Sequence, residues 1–155
     1  DVCEAAQMKL VPVYGDSNAA GVLYELLDER TVENRISHER MPTYAEHEAF
    51  IASHPFRYWY LIEVEGERVG ALEVTDLNEI GVAILRRHQR RGYGRAALKL
   101  FLATHEPLPP IPAKRNGRWL ANIAVSNEGS KAFFRKAGFV PLQETWALCL
   151  METGA

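Results

Sequence analysis

The sequence predicts a mixed α/β domain built around one sheet, on three observations. Its 155 residues, 47% hydrophobic and 25% charged, have the size and make-up of one ordinary domain, and no repeat, low-complexity tract or composition break divides residues 1–155. Strand-like runs alternate with helix-period runs in the order β-α-α-β-β-β-α-β-α-β, with room for one further strand. Near the middle, a glycine-bearing turn joins an apolar strand to a helix. No apolar run approaches the roughly 18 residues of a membrane span, and the first twenty residues lack the basic-then-apolar layout of a signal peptide. The only cysteines, Cys3 and Cys149, are too few and too far apart for a metal site or a disulfide framework. A cytoplasmic protein with no metal and no membrane partner is therefore expected.

Met8 to Tyr14 alternates as a strand, and Pro12 within it suits only an edge or a bulge. Asp16 or Ser17 caps a helix whose apolar stripe is Val22, Leu23, Leu26 and Leu27. Thr43-Tyr44-Ala45-Glu46 fits a capping box opening a second helix, which stops before Pro55. Arg57 to Thr75 reads as a hairpin turning at Glu65-Gly66-Glu67, and Glu79 to Leu85 as a further strand. Gly94 to Thr104 is helical, and a stiff loop with prolines 107, 109, 110 and 112 follows it. Trp119 to Val125 is predicted as a strand, Asn127 to Ala137 as a helix ended by Gly138, and Phe139 to Met151 as one or two closing strands.

The net charge of -2 hides an imbalance. Residues 1–80 hold 6 Lys+Arg against 16 Asp+Glu, while residues 81–155 hold 12 against 4. The acidic charges are spread out, as on a solvated surface, whereas the basic ones cluster. Five arginines (86, 87, 90, 91 and 95) crowd the turn from Leu85 to Ala96, where Gly92 and Gly94 let backbone amides converge ahead of a helix N-terminus. That arrangement suits a ligand with several negative charges, such as a pyrophosphate with a further phosphate. It lacks the G-K-[ST] ending of a Walker loop and the G-x-G-x-x-G spacing of a dinucleotide fold. A basic patch for nucleic acid would spread over a face and bring exposed aromatics with it.

Gln89-x-x-Gly92-x-Gly94, after a strand and before a helix, resembles the cofactor signature Q/R-x-x-G-x-G/A of the GNAT superfamily of acyl-CoA-dependent N-acyltransferases. Asn127 to Phe139 (NEGSKAFFRKAGF) is similar to that family's second signature, and the likeness is strongest from about Arg68 to Val140. The resemblance implies a GNAT-like fold with a central, mostly antiparallel sheet, a splayed parallel pair and about four helices. It implies acetyl-CoA as co-substrate, with Ala83, Ile84 and Leu85 offering backbone groups to the pantetheine arm. The amides from Arg90 or Arg91 through Gly92, Tyr93, Gly94, Arg95 and Ala96 would cradle the pyrophosphate, Gln89 would belong to the same cofactor site, and Asn127 would bond the arm from its far side. Phe134 stands where the family commonly has a tyrosine acid and, lacking a hydroxyl, is left as part of the cofactor site.

Forming an amide from a thioester requires a neutral amine, a sink for its proton and a leaving thiolate. A thiol pKa of about 8.5 lets that thiolate leave unassisted. Glu79, where the family places a glutamate, is the candidate base, set against the plainer reading of a solvated strand-end carboxylate. Asn122 takes the place of a second family glutamate and can orient the acceptor or a water. His38 and His47 are secondary candidates, and Trp59 and Tyr60 read first as core aromatics and second as pocket lining.

The expected activity is transfer of acetyl to a primary amine of a small, cationic molecule (amino sugar, aminoglycoside or polyamine-like), by a monomer or homodimer with no nucleic-acid partner. The alternatives are an acyl-CoA sensor without turnover, an acetyltransferase of protein amines, and a nucleic-acid binder whose affinity falls steeply with salt.

Overall fold

The computed structural model describes residues 7–30 and 40–149. Four antiparallel strands lie in chain order: β1 (Met8–Pro12), β2 (Tyr58–Val64), β3 (Glu67–Val74) and β4 (Ile80–Ile84). β1 is an edge, so Pro12 opposite Tyr60 interrupts no central ladder. Glu65 and Gly66, both at positive φ, make the two-residue turn that pairs Val64 with Glu67. A register shift at Ile62/Glu63 bends the hairpin.

Alternation along the strands splits the core into two layers. On one face Ile62, Leu72, Val74 and Ile80 pack with Ala97, Leu98 and Phe101 of α3 (Tyr93–Thr104) and Phe134 of α4 (Glu128–Lys136). On the other, Trp59, Leu61, Ala71 and Leu85 meet Ala19, Leu23 and Leu26 of α1 (Ala19–Asp28), and Ile51 of α2 (Tyr44–Ala52) packs against them. The capping box holds: Glu46 N–H donates to Thr43 Oγ1 at 3.2 Å. Asn18 holds the N-cap position of α1, beyond the expected Asp16 or Ser17, and its side chain makes no capping bond; Asp16 Oδ1 accepts the Asn18 amide and its carboxylate is also taken by Arg68. No helix among the described residues is long and apolar enough to cross a membrane.

Two expected strands are absent from the described residues. Of Trp119 to Val125, only Leu120 pairs, in a parallel bridge to Glu79. Trp119, Ala121 and Ile123 still turn toward the α3 core, so the alternation marks burial without a ladder. Residues 139–149 form no strand, and Val140, Leu142, Trp146 and Leu148 stand exposed.

Candidate functional site

β4 runs into a 3-10 turn (Arg86–His88) and then into α3. Arg90 (φ 64°) and Gly92 (φ 78°) both take the left-handed conformation, which turns successive amides to one side. Gly92 occupies the N-cap of α3 and no side chain caps the helix. The first amides of α3 are therefore open to an anion, with the positive end of the helix dipole behind them. Ile84, Gln89, Arg90, Tyr93, Arg95 and Phe133 line an open hollow of about 190 Å³ at this point. A larger hollow of about 330 Å³ between Val13 and His54 lies away from this loop and gathers no comparable set of amides and cations.

Only part of the arginine cluster remains for a ligand. Arg86 is tied to Glu29, its amide donating to Oε2 at 2.8 Å, and Arg87 is paired with Glu25. Arg90, Arg91 and Arg95 are exposed, with no ion-pair partner among the described residues. Gln89 braces the loop by donating from Nε2 to the Ile84 carbonyl at 3.0 Å.

The backbone of β4 sharpens the expected arm contacts. Thr75 N–H donates to Glu79 O, and Leu85 N–H to Val69 O, each at 2.9 Å. The odd-numbered residues of β4 thus direct their backbone groups into β3, and Ile80, Val82 and Ile84 direct theirs to the far edge. Ile80 N–H meets Leu120 O at 2.8 Å, after which the two segments share no ladder, leaving the edge open at Val82 and at the Ile84 N–H, whose carbonyl is taken by Gln89. Of the three expected contacts only Ile84 faces this edge. Ala83 and Leu85 are engaged with β3, and Leu85 is wholly buried. Val82, missed in the sequence, was legible from strand parity once β3 was known to pair with β4.

Glu79 and Asn122, 43 positions apart, come together: Asn122 Nδ2 donates to Glu79 Oε2. Thr75 Oγ1 donates to the other oxygen, Oε1, at 2.9 Å and accepts the amides of Leu77 and Glu79 at 3.2 Å. The carboxylate is thereby held between β3 and the 120–124 segment. Thr75 was not foreseen; its place across the β3–β4 turn from Glu79 is the signal that could have found it.

Other candidates fall elsewhere. Phe134 is 6% exposed and packs edge-on against Phe133 and Phe139, so it is a core residue; its neighbour Phe133 lines the hollow instead. Asn127 caps α4, its Oδ1 accepting the Ser130 amide at 3.1 Å. His47 is buried in the contact between α1 and α2, and desolvation holds its pKa below the usual histidine value. It packs there against the Tyr24 ring, and His38 lies outside the described residues. Trp59 packs under α1, while Tyr60 faces α3 with its hydroxyl 2.9 Å from His105 Nε2. Burial raises the Tyr60 pKa, and it lies on the opposite face from Glu79, so it does not replace the missing tyrosine acid. No group of three or more His, Cys, Asp or Glu suited to a metal occurs among the described residues.

The sequence pattern of the acetyltransferase (GNAT) family matches residues 22–139. No curated protein matches the chain. Among solved structures, an acetyltransferase from Thermus thermophilus is similar with 22% identity and a TM-score of 0.66, covering 91% of this chain and 92% of that one. The spermidine N-acetyltransferase of Vibrio cholerae, solved with CoA and spermine, is similar at 16% identity and a TM-score of 0.64, with 89% and 83% covered. At these identities the likeness is one of fold.

Proposed function

The chain belongs to the GNAT acetyltransferase family, and from that premise we propose that it moves an acetyl group from acetyl-CoA to a primary amine of a small cationic molecule. Transfer is by direct attack in a ternary complex, and residues 1–155 act as one domain. The observation that carries this reading is the clasped Glu79: Thr75 and Asn122 hold both its oxygens, one short strand away from the uncapped end of α3.

The residues fit the co-substrate. The open amides at the start of α3, with Arg90, Arg91 and Arg95 around them, suit a pyrophosphate and a further phosphate. The free edge at Val82 and the Ile84 N–H suits an amide-bearing arm that adds to the sheet like a strand. Acetyl-CoA, when bound, supplies an acyl group activated as a thioester. Glu79 accepts the proton of the incoming amine, directly or through one water, and Asn122 fixes the carboxylate on the acceptor side. With no tyrosine acid at Phe134, the thiolate leaves without a proton from that position.

The test is release of free thiol from acetyl-CoA across a panel of amino sugars, aminoglycosides, polyamines and peptides. Turnover with at least one amine is expected, and Glu79→Gln should lower kcat/KM by about 10²-fold or more with the acetyl-CoA KM unchanged. Stabilisation of the fold by CoA without turnover of any amine would instead mark a sensor.

A further inference from the structure

Gly81 sits mid-strand in β4 without a positive φ, so its backbone does not require glycine. A side chain fills the space above it. A Cβ there would collide with Glu73 Oε1 and lie 2.8 Å from Glu73 Cδ, so the carboxylate of Glu73 reaches from β3 across its cross-strand partner and lies over Gly81. Glu73 thus occupies the sheet face between Glu79 and Ala83, on the layer of Trp59 and Ala71. Glu73 and Glu79 are diagonal neighbours in the register, a relation that spans roughly 7–8 Å.

This carboxylate has a hydrogen bond from its own backbone amide and little else. Its side-chain partner among the described residues is Arg30, at 3.9 Å, beyond hydrogen-bond distance. The two side chains are 20% (Glu73) and 34% (Arg30) exposed. Desolvation raises the Glu73 pKa, with Arg30 opposing it. A half-buried carboxylate beside apolar side chains is costly unless a cation with good geometry completes it. Arg30, long and partly exposed, is a loose counter-ion that a ligand ammonium can displace.

Resting on the acetyltransferase reading above, we infer that Glu73 is an acceptor-binding residue: it holds a second ammonium of the acceptor while the amine to be acetylated sits at Glu79. The class of acceptor is a diamine or a larger amine with two positive charges a few bonds apart. Arg30 competes for the same carboxylate and sets how tightly the ammonium is held.

The experiment compares 1,4-diaminobutane with 1-aminobutane, which differ by the second ammonium, as acceptors for wild type, Glu73→Gln and Arg30→Gln. Wild type is expected to favour the diamine in kcat/KM. In Glu73→Gln the diamine-to-monoamine ratio falls by about tenfold or more, through KM, while the acetyl-CoA KM stays put. Arg30→Gln lowers the diamine KM, opposite in sign to Glu73→Gln. A wild type without preference for the diamine overturns the inference, as does a ratio unchanged in Glu73→Gln. Parallel losses in both variants, tracking a lower melting temperature, also overturn it and mark a structural ion pair. If wild type turns over no amine, the acetyltransferase reading fails. Calorimetric binding of 1,4-diaminobutane to the CoA-saturated protein then decides the subsite, which stands if binding is lost in Glu73→Gln and falls if wild type does not bind.

Discussion

Asp16 does two jobs with one carboxylate. It accepts the Asn18 amide at 2.9 Å ahead of α1 and takes a two-pronged grip from Arg68, at 3.1 and 2.5 Å. Hydrogen bonding to Arg68, with the Asn18 amide second, holds its pKa below the usual carboxylate value. Asp16→Ala should destabilise by about 1.5–3 kcal/mol in urea unfolding, the range for bonds to a charged group. Because the folded pKa is depressed, this contribution is complete above the ordinary aspartate value of about 3.9 and disappears as pH falls through the lower folded value. The stability gap between wild type and Asp16→Asn should therefore close on acidification below about pH 4. Thr75 permits a second measurement. Thr75→Val keeps the shape and removes the hydroxyl, so kcat should fall with the acetyl-CoA KM unchanged, and Thr75→Ser should restore it. The meeting of Glu79 and Asn122 was legible, because each stands where the resembling family places a glutamate near the splayed centre of the sheet. Phe133 was not: two neighbouring phenylalanines on a helix point about 100° apart, and the motif alone does not say which faces the loop.

The elements were legible where local chemistry dictates them. The Thr43 capping box and the Glu65-Gly66 turn carry their own geometry and lie where the residues place them. Segments whose strand character depends on a distant partner were not legible. Trp119, Ala121 and Ile123 alternate because one side of that segment is buried, and alternation reports the buried side without reporting hydrogen bonds. What fixes this segment is Asn78, which is fully buried with φ 65°. Its Nδ2 donates to Leu108 O at 2.9 Å and Asn116 O at 2.7 Å, its Oδ1 accepts the Leu108 amide at 2.8 Å, and its carbonyl accepts the Leu120 amide at 2.9 Å. One side chain therefore pins both ends of the proline loop to the β3–β4 turn. Asn78→Ala should cost about 3 kcal/mol or more in urea unfolding, since it strands buried backbone groups and puts alanine in the left-handed region. Because Glu79 is the next residue, kcat should fall in the same variant.

Across the whole molecule, the opposed charges of the two halves meet at a few points beside the cofactor loop. Glu25 and Glu29, on α1 and just after it, hold Arg87 and Arg86, and Glu67 faces His88 at 3.1 Å. The arginines that remain outward, 90, 91 and 95, make the net field at the cofactor loop smaller than the sequence count suggests but leave it exposed to screening. The KM for acetyl-CoA should therefore rise with added salt, as the Debye length falls from about 10 Å at 0.1 M to about 3 Å at 1 M. It should rise less in Arg91→Gln.

The three tryptophans are graded by depth: Trp59 is 7% exposed, Trp119 is half-buried and Trp146 is 86% exposed. An aqueous quencher such as iodide will reach Trp146 and spare Trp59, so the chain carries an optical reporter on its apolar 140–148 segment. A blue shift in emission, with loss of quenching as protein concentration rises, would register the covering of that segment without any label.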